Sequence, residues 1–224
     1  MNKPTLFQLL VAKVLEQLNS RSSVRDAYHS HGSSFRGLNP SNKGVGGAIP
    51  FESGLARQAL RLFELAPEVV FIVSEPFTME YILDGKVYRY TPDYLLHLRD
   101  DRRSVVEIKS LKAANYDFNR RRFEAIQEVL EAAGVIFAVL TEESLCSPIL
   151  QRNMSLVERH NHLDVPAVAL SQILGHLRHG SIRLGLLVDL IGCRATVMAT
   201  IAQGHITTDF RSAELTDNSL MRRV

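Results

Sequence analysis

The chain has 224 residues, of which 46% are hydrophobic, and a formal net charge of +2. This length allows one or two domains, and this hydrophobic content is enough to form packed cores. The near-neutral balance excludes a purely electrostatic nucleic-acid binder, the two distant cysteines argue against a disulfide framework or a zinc site, and no stretch is long and apolar enough to span a membrane.

The first 18 residues predict an amphipathic helix, because Leu6, Leu10, Val14 and Leu18 recur every four positions. A lysine and a glutamine interrupt this apolar stretch, so we do not interpret it as a signal peptide. The helix docks on the core of the protein or on a partner, and the first alternative is favoured. We expect a cytoplasmic protein.

The segment at 19–50 is rich in Ser, Gly and Asn and predicts a loop region. Its glycines at 44–47 lack the Gly-Lys-Ser pattern of a phosphate-binding loop, which argues against nucleotide binding. Arg25, Arg36 and Lys43 are candidate DNA contacts in this region. A solvated loop is the alternative for each of them.

Residues 51–65 predict an amphipathic helix from the helical spacing of Leu55, Ala59 and Leu62. Glu52 is expected in its first turn, where the positive end of the helix dipole favours a carboxylate. Two interpretations of Glu52 stay open: it complements the dipole, or it is a third acidic metal ligand.

Short strands follow, and we predict them from β-branched and aromatic residues. The pair Asp84-Gly85 suits a two-residue hairpin turn, because glycine tolerates positive φ. Pro92 cannot donate to a β-ladder, so Asp93 is expected at a break between strands. The predicted strands cover 77–83, 86–90, 94–98 and 104–110.

Glu107 and Lys109 are two positions apart and therefore share one face of their strand, whereas Val106 and Ile108 are expected to face the core. If this strand pairs with the strand that carries Asp93, two carboxylates and an ammonium group meet at one sheet edge. A solvated strand face is the alternative.

This combination suits Mg²⁺ and a phosphodiester, with Mn²⁺ as a substitute. Asp93 and Glu107 supply carboxylates, the carbonyl of Ile108 is a further candidate ligand, and Lys109 can neutralise the phosphate or orient the attacking water. The pattern indicates a metal-dependent DNA endonuclease.

A predicted helix over 115–133 ends at Gly134 and is followed by an apolar strand over 135–140, expected to be buried. From 102 to 122 the chain has seven basic residues and two acidic ones, a balance that suits a polyanionic backbone. An ordinary solvated helix face is the alternative. The candidate DNA contacts in this region are Arg103, Lys112, Arg120, Arg121 and Arg122.

A second unit begins near residue 165. Its predicted helices cover 168–177, 184–191 and 194–203, and extended pieces follow at 205–210 and 215–220. Three helices and a hairpin suggest a small winged-helix domain. Six basic residues against four acidic ones, with one arginine in the third helix, favour docking to a protein over reading DNA.

Several short strings occur in a characteristic order: 21–24, Arg36-Gly37, 40–43, 51–53, 75–77, 90–94, 107–109 and 140–142. Together they resemble the PD-(D/E)xK nuclease core and, more narrowly, the TnsA family of heteromeric transposase endonucleases. The resemblance implies Glu52, Asp93 and Lys109 as the catalytic triad, with Glu107 as a fourth active-site residue at a position that some members fill with Gln.

The resemblance further implies cleavage at the 5′ ends of a transposon in the bacterial cytosol, on the strands that are not joined to target DNA. The implied partners are double-stranded DNA, a DDE transposase subunit that cuts the other strands, and an AAA+ ATPase regulator. A stand-alone PD-(D/E)xK endonuclease and a non-catalytic DNA-binding adaptor are the alternatives.

The expected fold class is α/β. A restriction-endonuclease-like core, with a mixed central sheet flanked by helices, is expected over 51–155. The N-terminal helix and loop region at 1–50 leads into it, and the winged-helix domain at 165–224 follows it.

Overall fold

The computed structural model describes residues 4–18, 23 and 35–224. The candidate DNA contact Arg25 and most of the string at 21–24 lie outside the described residues. Two compact units are formed. The N-terminal unit contains Met1–Ala59 and Glu68–Glu143, and the C-terminal unit contains Leu60–Pro67 and Ser144–Val224. The three-part division drawn from the sequence stays a prediction.

The N-terminal unit contains an initial helix followed by strands and further helices, and its second helix continues past Ala59 into residues of the C-terminal unit. In chain order the elements are α1 (Leu6–Gln17), β1 (Gly37–Pro40), β2 (Ala48–Phe51), α2 (Gly54–Leu65), β3 (Val69–Ser74), β4 (Met79–Leu83), β5 (Lys86–Tyr90), β6 (Tyr94–Leu98), β7 (Arg103–Ile108), α3 (Leu111–Ala114), α4 (Asp117–Ala132) and β8 (Ile136–Leu140).

The central sheet has four strands in the order β3-β6-β7-β8. The pairs β3–β6 and β6–β7 are antiparallel, whereas β7–β8 is parallel. A parallel neighbour requires a crossover connection, and α3 and α4 provide it. The expected mixed α/β architecture is therefore confirmed for this unit.

A separate hairpin of β4 and β5 packs with α1 and α4. Its turn is the predicted pair, with φ of 51° at Asp84 and 72° at Gly85. The main hydrophobic core includes buried residues of α1, the hairpin and α4, among them Val14, Tyr81 and Ile126. The predicted N-terminal helix thus contributes to the protein's own core.

Two expectations about this unit are wrong. The helix predicted at 51–65 begins only at Gly54, so Glu52 precedes it and is not in its first turn. Ser53 provides the local contact to the helix start, because its hydroxyl accepts a hydrogen bond from the N–H of Ala56 at 3.0 Å. The strand β8 is also not fully buried, because it lies at the edge of the sheet and its residues are partly exposed.

The C-terminal unit contains helices and a small sheet. From α5 onward the elements are α5 (Glu142–Leu145), α6 (Pro148–Glu158), α7 (Ala167–His176), β9 (Ile182–Arg183), α8 (Leu184–Ile191), α9 (Arg194–Ala202), β10 (Ile206–Thr207) and β11 (Leu220–Arg223). The strand order is β10-β11-β9, with antiparallel neighbours.

This unit has its own core, formed by apolar residues of α6 to α9 and of the small sheet. Asn153 on α6 is fully buried. Its side-chain amide donates to the carbonyls of Phe210 and Ala213, and its side-chain oxygen accepts from the N–H of Leu215. One buried polar side chain therefore fixes the irregular segment before β11.

Within the described residues, no single helix has the length and apolar character that a membrane span requires. The helices α8 and α9 are bent by 120° relative to each other, and only together do they reach the length and apolar composition of a span. Six residues of α9 are buried within the unit.

Candidate active site

Two acidic residues meet at one end of the central sheet. The antiparallel register of β6 and β7 pairs Tyr94 with Val106, so the next positions outward are Asp93 and Glu107. Pro92 precedes Asp93 and ends the regular strand, as expected. The predicted pairing of these strands is confirmed.

Asp93 is tied to the neighbouring strand through its side chain. Its Oδ2 accepts a hydrogen bond from the N–H of Ile108 at 2.6 Å. Burial raises the pKa of Asp93 to about 7, and the negative charge of Glu107 adds to this rise, whereas the Ile108 hydrogen bond and Lys109 oppose it. Because neighbouring carboxylates disfavour each other's charged form, a cation beside Asp93 and Glu107 would stabilise both as carboxylates.

Glu107 is only 4% exposed and has two polar partners. The hydroxyl of Tyr90 donates to its Oε2 at 2.9 Å, and Nζ of Lys109 donates to its Oε1 at 3.2 Å. Burial raises the pKa of Tyr90 well above its ordinary range, and the neighbouring Glu107 raises it further, so Tyr90 acts as a donor. The expected shared face of Glu107 and Lys109 is confirmed by this contact.

A cleft of about 100 Å³ opens beside Asp93. Glu107 and Lys109 are not among its lining residues, although the charges of both affect the pKa of Asp93. The hydroxyl of Tyr94 donates to the carbonyl of Pro50 at 3.2 Å and joins β2 to the central sheet. The lining residues are Pro50, Phe51, Glu52, Ser53, Ala56, Ser74, Glu75, Asp93, Tyr94 and Ile108.

Glu52 enters the cleft from the end of β2. Its side chain is 54% exposed, and one oxygen lies 3.6 Å from Nε of Arg36. Burial raises the pKa of Tyr94, and the charges of Asp93 and Glu52 add to this rise. Glu52 and Asp93 therefore influence the same buried phenol.

Glu75 is an acidic lining residue that the sequence analysis did not single out. The register of β3 and β6 pairs Ser74 with Tyr94, so Glu75 follows opposite Asp93. Its N–H donates to the carbonyl of Asp93 at 2.9 Å, and its φ is 41°, an uncommon value for a residue with a side chain. The apolar run before Ser74-Glu75-Pro76 is the signal that could have indicated this strand end.

Carboxylate oxygens are the ligands that Mg²⁺ prefers, usually one or two together with waters. Across residues 4–18, 23 and 35–224, no group of three or more His, Cys, Asp or Glu side chains is arranged to hold a metal ion. Asp93 and Glu52 nevertheless share the cleft, and burial, together with the charge of Glu107, raises the pKa of Asp93. The donor set thus fits a cation that takes few protein ligands.

The candidate DNA contacts are found in different environments. Lys112 and Arg120 are exposed, and Arg120 also pairs with Asp117. Arg121 pairs with Asp84 of the hairpin turn, and the side chain of Lys43 is partly buried.

The other two candidates, Arg122 and Arg103, also have contacts within the protein. The guanidinium of Arg122 lies 5.2 Å from the ring centroid of Tyr90, over its face. Arg103 begins β7, at the strand end opposite to Glu107 and Lys109, and donates to the carbonyls of Asp101 and Arg102. These contacts indicate that Arg122 supports the Tyr90–Glu107 pair and that Arg103 stabilises a turn.

Residues 66–142 match the sequence model of the family described as TnsA-like endonuclease N terminal. This range contains Asp93, Glu107 and Lys109, and Glu52 precedes it. No curated protein matches the chain. Residues 66–142 are therefore similar to the N-terminal domain of the TnsA-like endonucleases.

Proposed function

We propose that this TnsA-like protein is a metal-dependent DNA endonuclease that cuts the 5′ ends of a transposon, on the strands that are not transferred. The observation that carries the proposal is the convergence of Asp93, Glu107 and Lys109 inside the matched range. An endonuclease domain together with an acidic cleft and an adjacent ammonium group suits phosphodiester hydrolysis.

Asp93 and Glu52 would hold a divalent cation, Mg²⁺ or Mn²⁺, with the carbonyl of Ile108 and the carboxylate of Glu107 as further candidates. When bound, such an ion lowers the pKa of a coordinated water and stabilises negative charge on the phosphate. The remaining tasks fall to the side chains of the chain itself.

The positions of Lys109 and Tyr90 suggest their tasks. Lys109 is one-third exposed, so its ammonium group can contact both Glu107 and an incoming phosphate oxygen. Tyr90 donates to Glu107 from the buried side and keeps that carboxylate in one orientation. Glu107 in turn orients Lys109, because both oxygens of the carboxylate are engaged.

The exposed basic residues after β7 would contact the phosphates of duplex DNA. Lys112 and Arg120 suit this role best, because both are exposed and follow the strand that ends beside Asp93. Arg121 and Lys43 remain candidates. Phosphate contacts of this kind position DNA without reading its sequence.

For the C-terminal unit we propose a winged-helix domain that docks to a partner protein. The order helix, strand, helix, helix, strand, strand supports this, with the last strand in the middle of the small sheet. Protein docking is favoured over DNA reading because the one arginine of α9, Arg194, already pairs with Asp217. The partners would be a DDE transposase subunit and an AAA+ ATPase regulator.

A reconstitution experiment tests this function against a stand-alone endonuclease. Plasmid DNA with transposon ends is incubated with Mg²⁺ and the full chain, with and without the DDE subunit and the regulator. The proposal predicts nicks at the 5′ ends that require the partners. Cutting at defined sites by the chain alone would instead favour a restriction-type or junction-cutting enzyme, and no cutting under either condition would favour a non-catalytic adaptor.

A further inference from the structure

An arginine from a neighbouring strand contacts the acidic cleft. In the hairpin of β1 and β2, Gly37 pairs with Phe51, so the next positions outward are Arg36 and Glu52. Nε of Arg36 lies 3.6 Å from Oε1 of Glu52. Phe35 and Phe51 also contact each other, with ring centroids 5.7 Å apart, at this end of the hairpin. The strand register therefore brings Arg36 to Glu52.

The two partners differ in exposure. The side chain of Arg36 is 27% exposed and that of Glu52 is 54% exposed. The carboxylate therefore remains accessible from the cleft, whereas the guanidinium is held mostly inside the protein surface. Of the two groups, Glu52 is the one that an incoming cation can reach.

A cation bound to Glu52 competes with any other cation for the same carboxylate. Since binding equilibria are reciprocal, the factor by which Arg36 weakens metal binding to Glu52 equals the factor by which the bound metal ion weakens the Arg36–Glu52 ion pair. The donors of the guanidinium that face Glu52 are then no longer engaged by that carboxylate, and they lie next to the position of the metal. Guanidinium groups bind phosphate oxygens well, because their planar fork matches two oxygens.

We propose that Arg36 exchanges partners during the reaction: it neutralises Glu52 in the metal-free protein and binds a phosphate oxygen of DNA once a divalent cation occupies Glu52. This inference rests on the proposed endonuclease function and adds a residue to it. Arg36 lies outside the matched range. The sequence made it a candidate DNA contact in a loop, and the exchange with Glu52 links that contact to metal binding. The exchange keeps the acidic cleft neutralised before the metal arrives and supplies positive charge where phosphate enters.

The first test measures Mn²⁺ binding to the full chain by calorimetry, without DNA. Arg36→Gln removes the competitor for Glu52, so Mn²⁺ should bind about threefold more tightly, as expected for loss of a partly exposed ion pair. Arg36→Lys keeps the charge and should stay close to the wild-type affinity. Unchanged or weaker binding by Arg36→Gln would overturn the proposal.

The matched control is Arg89→Gln. Nε of Arg89 also lies 3.6 Å from a glutamate oxygen, that of Glu80 on the β4–β5 hairpin, and this pair belongs to the same unit. Arg89→Gln removes the same charge as Arg36→Gln, but from an ion pair that does not line the cleft, so the Mn²⁺ affinity should not change. An equal gain in both variants would show a general effect of net charge and would contradict a specific role of Arg36.

A double-mutant cycle tests the link to Glu52. In a Glu52→Gln background, Arg36→Gln should no longer change the Mn²⁺ affinity, because the competed carboxylate is absent. If Arg36→Gln still raised the Mn²⁺ affinity in this background, its effect would not act through Glu52, and the exchange would be overturned. This measurement does not depend on cleavage.

The second half of the exchange is tested with DNA. At saturating Mn²⁺ and with partner proteins present, Arg36→Gln should cut DNA at least about tenfold more slowly although it holds the metal more tightly, and Arg36→Lys should recover part of the rate. Wild-type cutting by Arg36→Gln would overturn the phosphate role. If Asp93→Asn binds Mn²⁺ as well as the wild type, the proposed metal site itself is wrong. If Mn²⁺ binding depends on Asp93 but does not change in Arg36→Gln, only the exchange is refuted.

Discussion

The backbone N–H of Ile108 donates to Oδ2 of Asp93 at 2.6 Å and joins the end of β7 to the break before β6. This contact fixes one oxygen of the carboxylate at the edge of the cleft. It also places Asp93 beside Glu107, which is one residue before Ile108. The placement of Asp93 next to Glu107 therefore follows from a single strand pairing and one bend at Pro92.

The stability of the metal-free protein should fall as the pH rises from about 4 to about 7. The pKa of Asp93 is raised to about 7 in the folded protein, whereas an unfolded aspartate titrates near pH 4. In this window the folded protein keeps a proton that the unfolded chain has released, so the stabilisation present at low pH is lost as Asp93 ionises.

Urea unfolding with a chelator present, at pH 5 and at pH 8, measures this effect. The free energy of unfolding should drop by on the order of 1–2 kcal/mol more in the wild type than in Asp93→Asn, after discounting for partial exposure. A parallel pH dependence in the two proteins would show that Asp93 titrates normally.

Removing the hydroxyl of Tyr90 should destabilise the fold. Tyr90 and Glu107 are both buried, so Tyr90→Phe deprives a buried carboxylate of a charge-assisted hydrogen bond, at a cost of about 2 kcal/mol. Thermal and urea unfolding measure the change. Tyr88→Phe, on the same strand but partly exposed, is the control and should change stability much less; equal effects would argue against the Glu107 contact.

Replacement of Lys109 should separate metal binding from cleavage. Lys109→Ala removes an ammonium group that contacts Glu107 but no carboxylate, so Mn²⁺ binding by calorimetry should persist while DNA cutting falls by about a hundredfold. Lys86→Ala, at the exposed hairpin turn, serves as the control with normal cutting. If Lys109→Ala lost metal binding but cut DNA normally, Lys109 would not have the role in cleavage that is assigned to it.

The C-terminal unit should depend on Asn153. Its side chain makes three hydrogen bonds to backbone groups at Phe210, Ala213 and Leu215. Asn153→Ala leaves these buried groups without partners and should destabilise the unit by about 3 kcal/mol. Asn218→Ala, at an exposed turn position, should be nearly neutral. Thermal unfolding that does not distinguish the two variants would contradict this role.

Local sequence patterns predict the strands around Asp93 and Glu107, although the strand predicted at 104–110 is observed at Arg103–Ile108. Strands 86–90 and 94–98 have the predicted bounds, and so does the helix at 184–191. Alternation, a Pro-induced break and an Asp-Gly turn are local signals, so they are visible without a structure. The same signals indicated that Glu107 and Lys109 share a face.

The contacts that depend on pairing between distant segments were not predictable in this way. Arg36 reaches Glu52 through the β1–β2 register, and Glu75 reaches Asp93 through the β3–β6 register. Neither register leaves a periodic pattern in the sequence. The spacing of Leu55, Ala59 and Leu62 predicts the helix but not the residue at which it begins, so it misplaces Glu52, which precedes the helix.

The most direct measurement is single-turnover cleavage of 5′-labelled transposon-end DNA, with a DDE partner whose own acidic residues have been inactivated, so that every 5′ cut comes from this chain. The wild type should cut the strand that is not transferred in the presence of Mg²⁺, and Asp93→Asn should reduce this by at least about a hundredfold while its thermal unfolding shows an intact fold. Wild-type cutting by Asp93→Asn would contradict the account.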